Sequence, residues 1–265
     1  MPLSLRVVPA RQGVTWMRDG FRLFAKHPLQ FSLMFVVFLV TVVLGAMLPA
    51  LAGLMIMAAA PLFGLGFMLA AESALNKGPI HPGLFIKPLM VDAKRRQALL
   101  LIAAAYGLCM FVALALGQWA DGGSMLRLQQ LQAEQASPDE IAALMSTPEF
   151  RNGLFIRLLL ISVVSAVFWH APALVHWGGQ GTAQAVFSSV VAVWRNRGAY
   201  IVFMLSWLGI AILFGSLTAL ALAVLGLQNL AGMVIIPGAL IFSTVYFVSM
   251  LFPFNDCFGN SAPAP

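Results

Sequence analysis

Six long runs of apolar residues, separated by shorter polar or basic segments, dominate the hydrophobic pattern of this chain. The runs cover 29–48, 51–75, 98–117, 153–175, 199–225 and 230–252. A helix needs about 20 apolar residues to cross the hydrocarbon core of a bilayer, and each run reaches that length. No run alternates apolar and polar residues with the period of two that a membrane barrel requires. The pattern therefore predicts an all-α integral membrane protein with six transmembrane helices, whose backbones satisfy their own hydrogen bonds.

The composition agrees with this prediction. Of the 265 residues, 61% are hydrophobic and only 9% are charged, and the mean hydropathy is +0.92. A soluble domain carries about 25% charged residues. So few charges cannot cover a water-soluble globule, which excludes a soluble enzyme, a disordered chain and a secreted disulfide scaffold. The net charge of +6 would suggest nucleic acid in a soluble protein. Here the position of the charges explains it, and we expect no nucleic-acid partner.

The basic residues fall on one side of the predicted membrane. Of 15 basic residues, five precede the first run, five lie between runs two and three, and two lie between runs four and five. The loop between runs three and four holds five of the nine acidic residues. Cytoplasmic loops carry an excess of Lys and Arg. The sequence thus predicts a multi-pass protein of the bacterial inner membrane with both termini in the cytoplasm. Its basic side, which includes Arg95 and Arg96, should attract anionic lipid headgroups.

Two basic amphipathic segments, 9–27 and 182–197, precede runs one and five. The apolar face of the first is predicted to consist of Val14, Met17, Phe21 and Phe24. In the second, Trp194 belongs to the apolar face and Arg195 lies in the last turn. Such helices are expected along the inner membrane surface. Pro28 should end the first helix, because the residue before a proline disfavours helical geometry.

The segments between the runs suggest further organisation. Within 119–152, Ser137 and Glu140 have the spacing of a capping box, so this stretch is predicted to form a short helical cap on the periplasmic face. Each amphipathic helix leads into a hairpin of two runs, and the second run of each hairpin contains a proline, Pro61 or Pro237. This predicts a parallel pseudo-repeat within one membrane domain, 1–265. The hairpins are 29–75 and 199–252, and spans three and four (98–175) lie between them.

These patterns resemble a known group of proteins. The resemblance is carried by Gly-Phe-Arg-Leu-Phe at 20–24 before Pro28, by Pro-Ala-Leu-Val at 172–175, by the stretch 185–196 and by a closing span with a proline. They look like uncharacterised proteobacterial inner-membrane proteins, which are similar in turn to the membrane domain of some bacterial glycerophosphodiester phosphodiesterases. In the fused enzymes the chemistry belongs to a separate soluble domain. The resemblance therefore carries no catalytic residue over to this chain and implies a stand-alone six-span module of unknown activity.

A few residues inside or beside the spans are candidates for function. Glu72, near the inner end of span two, could bind a cation, a proton or a basic group of a partner, or could pair with Lys77 or with the cluster 94–96. His170 could ligate a metal or haem, but an interfacial aromatic belt at a capped helix end explains it better. Arg157 is expected to reach the periplasmic surface. Pro61 and Pro237 could line a pathway between the hairpins or could only kink packed helices.

No catalytic, metal-binding or cofactor-binding pattern emerges from the sequence. The first function hypothesis is a non-enzymatic module that scaffolds a membrane-protein partner, forms a homo-oligomer or organises lipid. The alternative is a small transporter or channel for an apolar or lipid-like substrate, which requires a cavity between the two hairpins. A third, an enzyme acting on phospholipid or glycerophosphodiester, rests on analogy and would need His27, His81, Glu72 and Asp92 to converge.

Overall fold

The computed structural model describes residues 4–47 and 50–259 and confirms an all-helical protein with six candidate membrane-spanning helices. The long helices are α2 (Pro28–Ala46), α3 (Ala50–Leu75), α4 (Ala93–Ala120), α7 (Pro148–Phe168), α10 (Arg197–Val224) and α11 (Ala231–Ser249). The shorter helices are α1 (Gln12–Lys26), α5 (Ser124–Ala133), α6 (Pro138–Met145), α8 (Ala171–His176), α9 (Thr182–Arg195) and α12 (Leu251–Phe258). Three 3-10 turns cover Pro82–Phe85, Lys87–Met90 and Gln228–Leu230.

Local sequence signals set several helix ends. His27 leaves helical geometry (φ −140°, ψ 51°) between α1 and α2, and Pro28 occupies the first turn of α2. Ser137 and Glu140 form the predicted capping box at the start of α6. Helices α5 and α6 thus occupy the stretch expected to be helical between spans three and four, while its periplasmic position and the pseudo-repeat remain predictions.

Helix α1 packs against α10, α11 and α12 through a face that is shifted from the predicted one, although Met17, Phe21 and Phe24 are half-buried at its border. The buried positions are Gly13, Trp16, Gly20 and Leu23, whereas Val14 is 46% exposed. The buried stripe is therefore displaced by one residue, about 100° around the helix. Gly13 lies directly against the backbone of Ala199 and Phe203 in α10, where a Cβ atom would collide with it. Large apolar residues misled the prediction because glycines, which add no hydrophobic signal, allow the closest helix contact.

The six long helices are buried to very different extents. Helix α4 packs between α3 and α7, and α3 also contacts α2 and α11. Aromatic rings fill this region, and Phe67 of α3 stacks on Phe247 of α11 with 4.9 Å between centroids. In the most apolar 18-residue stretch of α3, 44% of the residues are buried, against 6% in the corresponding stretch of α10. Helix α10 thus lies at the edge of the bundle and presents most of its apolar surface outward.

The last span extends further than the hydropathy pattern suggests. After α11 the chain bends at Met250 and continues as α12 to Phe258, whereas the predicted run ends at 252. The polar side chain of Asp256 ended the apolar run, but in the structure this carboxylate accepts hydrogen bonds from Gln12 and Trp16 of α1. A hydropathy scan cannot foresee such partners, which lie some 240 residues away.

The two ends of the described chain lie side by side. The backbone N–H of Arg6 donates to the carbonyl of Cys257 at 2.9 Å. The beginning of the chain and the end of α12 therefore share one end of the bundle, as an even number of spans requires. That this end faces the cytoplasm remains a prediction from charge.

Candidate functional site

The basic segments predicted to be cytoplasmic are joined at one end of the bundle, which we call the basic end. It comprises α1, the end of α3 with the loop that leads to α4, the start of α4, the end of α8, the α9–α10 junction and the end of α12. The guanidinium of Arg95 donates to the carbonyl of His176 at 3.1 Å, which ties α4 to α8. Exposed cations here include Arg11, Arg18, Arg22, Lys26, Lys77, Lys87, Lys94, Arg96, Arg195 and Arg197. The structure thus gathers basic residues that lie far apart in the sequence.

Arg95 and Arg96 are neighbours with different environments. Asp92 caps α4 by accepting from the backbone N–H of Arg95, and its carboxylate lies 3.3 Å from the Arg95 guanidinium. Arg95 is therefore held in place by Asp92 and by the His176 carbonyl. Arg96 is exposed. Of the two predicted residues, Arg96 thus has the more exposed side chain, while Arg95 is held at the start of α4.

Glu72 does not find the predicted partners. Its half-buried carboxylate lies near the side chain of Trp177, and Lys87 supplies the nearby positive charge. The expected pairing with Lys77 or the cluster 94–96 is not seen, since none of the ion pairs among the described residues includes Glu72. Glu72 contributes to the packing of α3 against α8 at the basic end.

The end of α9 presents an exposed aromatic and basic surface. Trp194 is 69% exposed, and the guanidinium of Arg197 lies over its ring at 5.4 Å. Arg195 is also exposed. A tryptophan flanked by arginines matches the composition of the membrane–water interface, where indole rings and basic side chains both concentrate. This surface is the part of the predicted site that most directly suits headgroup contact.

His170 is not an interfacial belt residue; this prediction is wrong. It is fully buried, its ring is hydrogen-bonded to the hydroxyl of Tyr200, and its backbone N–H donates to Ser189 Oγ at 3.0 Å. The Tyr200 hydroxyl also lies 3.8 Å from Cys257 Sγ. His170 thus joins α8, α9, α10 and α12 from within. Its neighbours come from segments distant in sequence, so the adjacent Trp169 and Pro172 gave no sign of the burial.

A second buried polar group at the basic end was missed by sequence reasoning. Asn196, between α9 and α10, accepts from the N–H of Val8 at 2.8 Å and donates to the carbonyls of Arg6 and Ala192, both at 3.0 Å. It is 2% exposed. An asparagine flanked by two arginines was read only as part of a surface helix, although it fixes the N-terminal segment.

A cavity lies between the two hairpins. Its volume is about 180 Å³, it is partly open, and it is bounded by α3, α4, α7, α8 and α11. Pro61 of α3 lines it, as do Tyr106, Ser165, Trp169 and Tyr246. The transport hypothesis required a cavity at this place, and the structure provides one.

Pro237 takes no part in this cavity. It lies in the interior of α11 on an exposed surface, in a stretch whose neighbours also face outward. The alternative in which both prolines line one pathway is therefore not met by Pro237. The two prolines share a sequence position within their hairpins, but their helices turn them to different surroundings.

The opposite end of the bundle contains a buried ion pair. Arg157 Nη2 lies 2.8 Å from Asp121 Oδ2, and the Asp121 side chain is 3% exposed. Asp121 also accepts from the N–H of Gly123 at 2.8 Å. The expectation that Arg157 reaches the surface is wrong, because Asp121 at the end of α4 supplies a partner. A charge inside an apolar run is the signal that could have prompted a search for one.

The groups named for an enzymatic alternative take separate partners. Asp92 pairs with Arg95, Glu72 lies near Trp177, and the ring of His27 packs against Phe31. Within residues 4–47 and 50–259, no cluster of three His, Cys, Asp or Glu side chains could hold a metal ion.

The fold defined by these observations is that of a six-span, all-helical membrane protein. The chain is similar to a protein of Burkholderia thailandensis described as a probable inner membrane protein. The two are 28% identical over an alignment of 268 positions, and the alignment covers 98% of this chain and 96% of the relative. No model of a known protein family matches the chain, and no solved structure does. The similarity and the six apolar helices support a multi-pass inner-membrane protein, and the likeness to glycerophosphodiester phosphodiesterases remains a prediction.

Proposed function

We propose that this protein is a non-enzymatic inner-membrane module and that, of the two roles considered for such a module, scaffolding a membrane-protein partner or organising lipid, it organises anionic lipid at its basic end. The observation that carries the proposal is the gathering of exposed cations at one end of the bundle. Each basic residue near an anionic membrane surface contributes about 1 kcal/mol of attraction. Several such residues around one small bundle enrich anionic headgroups beside it.

The geometry of the basic end supports this role in two ways. The exposed pair Lys94 and Arg96 lies in the first turn of α4, where the helix dipole disfavours cations. Their position therefore weakens the helix itself and is better suited to an external anion. The exposed Trp194 beside Arg197 adds an indole ring to the basic end.

Lipid enrichment tests the proposal directly. The protein is reconstituted into nanodiscs of phosphatidylglycerol and phosphatidylethanolamine, and the lipid retained after mild detergent exchange is measured by mass spectrometry. We expect phosphatidylglycerol to be enriched, and Lys94→Gln/Arg96→Gln to reduce that enrichment about fivefold or more, from about 1 kcal/mol for each charge.

A matched control comes from the opposite end. Arg127 and Arg151 are also exposed, so Arg127→Gln/Arg151→Gln removes the same charge there. This variant is expected to retain the wild-type lipid ratio. Equal losses in the two double variants, or no enrichment in the wild type, would contradict the proposal.

A second candidate function, transport of a lipid-like substrate, is favoured by the cavity between α3 and α11. Transporters bind substrates near the bilayer midplane, where repeats meet. The test is accessibility: Ser165→Cys, in a background with Cys109→Ala and Cys257→Ala, is labelled with a membrane-impermeant maleimide from either side of sealed vesicles. Labelling from both sides supports alternating access, whereas protection from both sides argues against transport.

A further inference from the structure

We infer that the cavity between the hairpins is a binding site for a lipid-soluble ring compound that carries carbonyl or hydroxyl oxygens, of the quinone or phenol class. The inference goes beyond the basic end. It names the ligand that the second candidate function would move, but binding alone is required here. Four observations carry it: the depth of the cavity, its volume, its aromatic walls and its polar groups.

The cavity lies at mid-depth in the bundle. Tyr106 is the fourteenth of the 28 residues of the span Ala93–Ala120, so it lies about 20 Å from either end of α4. Counted over the full spans, Gly53–Leu75, Pro148–His176 (α7 with α8) and Ala231–Phe258 (α11 with α12), the lining residues Pro61, Ser165 and Tyr246 are also near the middle. The hydrocarbon core is about 30 Å thick, which places the ester oxygens of bilayer lipids about 15 Å from its centre. An ordinary lipid could therefore insert only methylene groups here.

The walls nevertheless carry polar groups that methylene groups would leave unused. Tyr106, Ser165 and Tyr246 contribute three hydroxyl groups to the lining. Trp169, also in the wall, has a buried indole N–H without a hydrogen-bond partner. A donor left unsatisfied in an apolar environment costs several kcal/mol. These groups favour a ligand whose own oxygen atoms lie near the middle of the bilayer.

The shape of the cavity favours a ring. Its volume of about 180 Å³ is close to that of an engineered cavity of about 150 Å³ that binds benzene. Five aromatic residues line it, namely Tyr106, Phe168, Trp169, Tyr246 and Phe247. Aromatic rings pack on one another in offset or edge-to-face arrangements, and a rigid ring loses less conformational entropy on binding than an acyl chain. A substituted six-membered ring fills this space with few polar groups left unmatched.

Duroquinone, a fully methylated benzoquinone, is a suitable probe because its free ring positions are blocked against addition of thiols. Equilibrium dialysis between nanodiscs with and without the intact protein measures the excess probe bound, and thereby corrects for partition into lipid. The wild type should bind about one duroquinone, and methyl decanoate, an acyl ester of similar carbon number, should bind at least tenfold more weakly. Tighter binding of the ester, or no excess duroquinone, would overturn the inference.

Two glycine variants locate the site. Gly64 lines the cavity, and a Cβ there would meet only Met250 at 3.5 Å, so Gly64→Leu fills the space without a forced collision. Gly215 in α10 has open space around its Cβ position and provides the matched control, Gly215→Leu. We expect Gly64→Leu to weaken duroquinone binding at least tenfold and Gly215→Leu to change it less than twofold. Equal behaviour of the two would place any bound probe elsewhere.

Hydroxyl deletions keep the inference testable if Gly64→Leu does not fold. Tyr106→Phe and Tyr246→Phe retain the rings and remove one hydroxyl each. One of them at least should weaken duroquinone binding about fivefold, as expected for a lost hydrogen bond. Wild-type affinity in both variants would contradict the assignment of the polar groups. Because the assay measures binding, a protein that binds duroquinone without moving it would refute only transport.

Discussion

The two ends of the helix bundle stabilise their polar groups in different ways. At the basic end, Asn196 and Asp256 each accept or donate several hydrogen bonds that join α1, α9, α10 and α12. At the opposite end, one buried ion pair between Asp121 and Arg157 joins α4 to α7. One end distributes its polar contacts over several neutral and charged partners, while the other concentrates them in two charges.

This difference determines how each end should respond to mutation. A buried charge that loses its counterion is left uncompensated in an apolar environment, so a single substitution removes the whole stabilisation that the ion pair provides. In a network of hydrogen bonds, a single substitution removes only some of the bonds, and each lost bond lowers the free energy of unfolding by less. The opposite end should therefore be more sensitive to a single substitution, although it has fewer polar contacts.

The largest effect is expected from Asp121→Ala. The variant leaves Arg157, whose side chain is 19% exposed, without its counterion, and the cost of breaking a buried pair is about 3–5 kcal/mol. Titration with SDS in mixed detergent micelles measures the free energy of unfolding. Glu149→Ala, an exposed acidic residue at the start of α7, serves as control and should cost less than about 0.5 kcal/mol. Similar effects of the two would show that the ion pair contributes little.

Asn196→Ala should cost about 2–3 kcal/mol in the same titration. It removes one accepted and two donated hydrogen bonds in a buried site and leaves the N–H of Val8 without its partner. The N-terminal segment should also become more accessible, which hydrogen exchange of residues 5–10 would detect. Asn152→Ala, at an exposed position of α7, is the control. Unchanged exchange of the segment in Asn196→Ala would mean that the other contacts hold it alone.

The comparison of the two ends also shows what the sequence could and could not predict. The six spans, the basic end and the capping box of α6 follow from local patterns, because each depends on residues close together in the chain. The partners of the polar residues do not: Val8 and Asn196 are 188 positions apart, and Asp121 and Arg157 are 36 apart. Hydropathy reports how much a segment prefers the membrane, but not which side of the helix meets a neighbour.

Pro61 and Pro237 illustrate the same limit within the candidate site. Both interrupt an apolar run, and the pattern alone predicted one shared role. Only the packing of α3 and α11 distinguishes them, since α3 is enclosed by other helices while the first part of α11 faces outward. The cavity itself depends on four spans meeting at one depth, which no local pattern encodes.

Tyr200→Phe tests the interior of the basic end and should cost about 1–3 kcal/mol. The ring remains, so its packing on Trp16 is retained, while the ring nitrogen of His170 loses its partner. The double variant Tyr200→Phe/His170→Phe removes both partners. It should recover part of the loss, because an unsatisfied buried group costs more than a missing pair. If the double variant loses more free energy of unfolding than Tyr200→Phe and His170→Phe lose together, His170 has a further partner that stabilises it.

The smallest effect is expected for the two neighbouring arginines at the start of α4. We expect Arg95 to position the helix and Arg96 to face lipid. Arg95→Gln should cost about 1 kcal/mol, since Arg95 donates to the His176 carbonyl and pairs with Asp92. Arg96→Gln should change the free energy of unfolding by less than about 0.5 kcal/mol, because its side chain is exposed. In nanodiscs the order should reverse, with Arg96→Gln losing more bound phosphatidylglycerol than Arg95→Gln. The same order in both measurements would mean that the two arginines do not divide these roles, and that fixed and exposed cations at the basic end act alike.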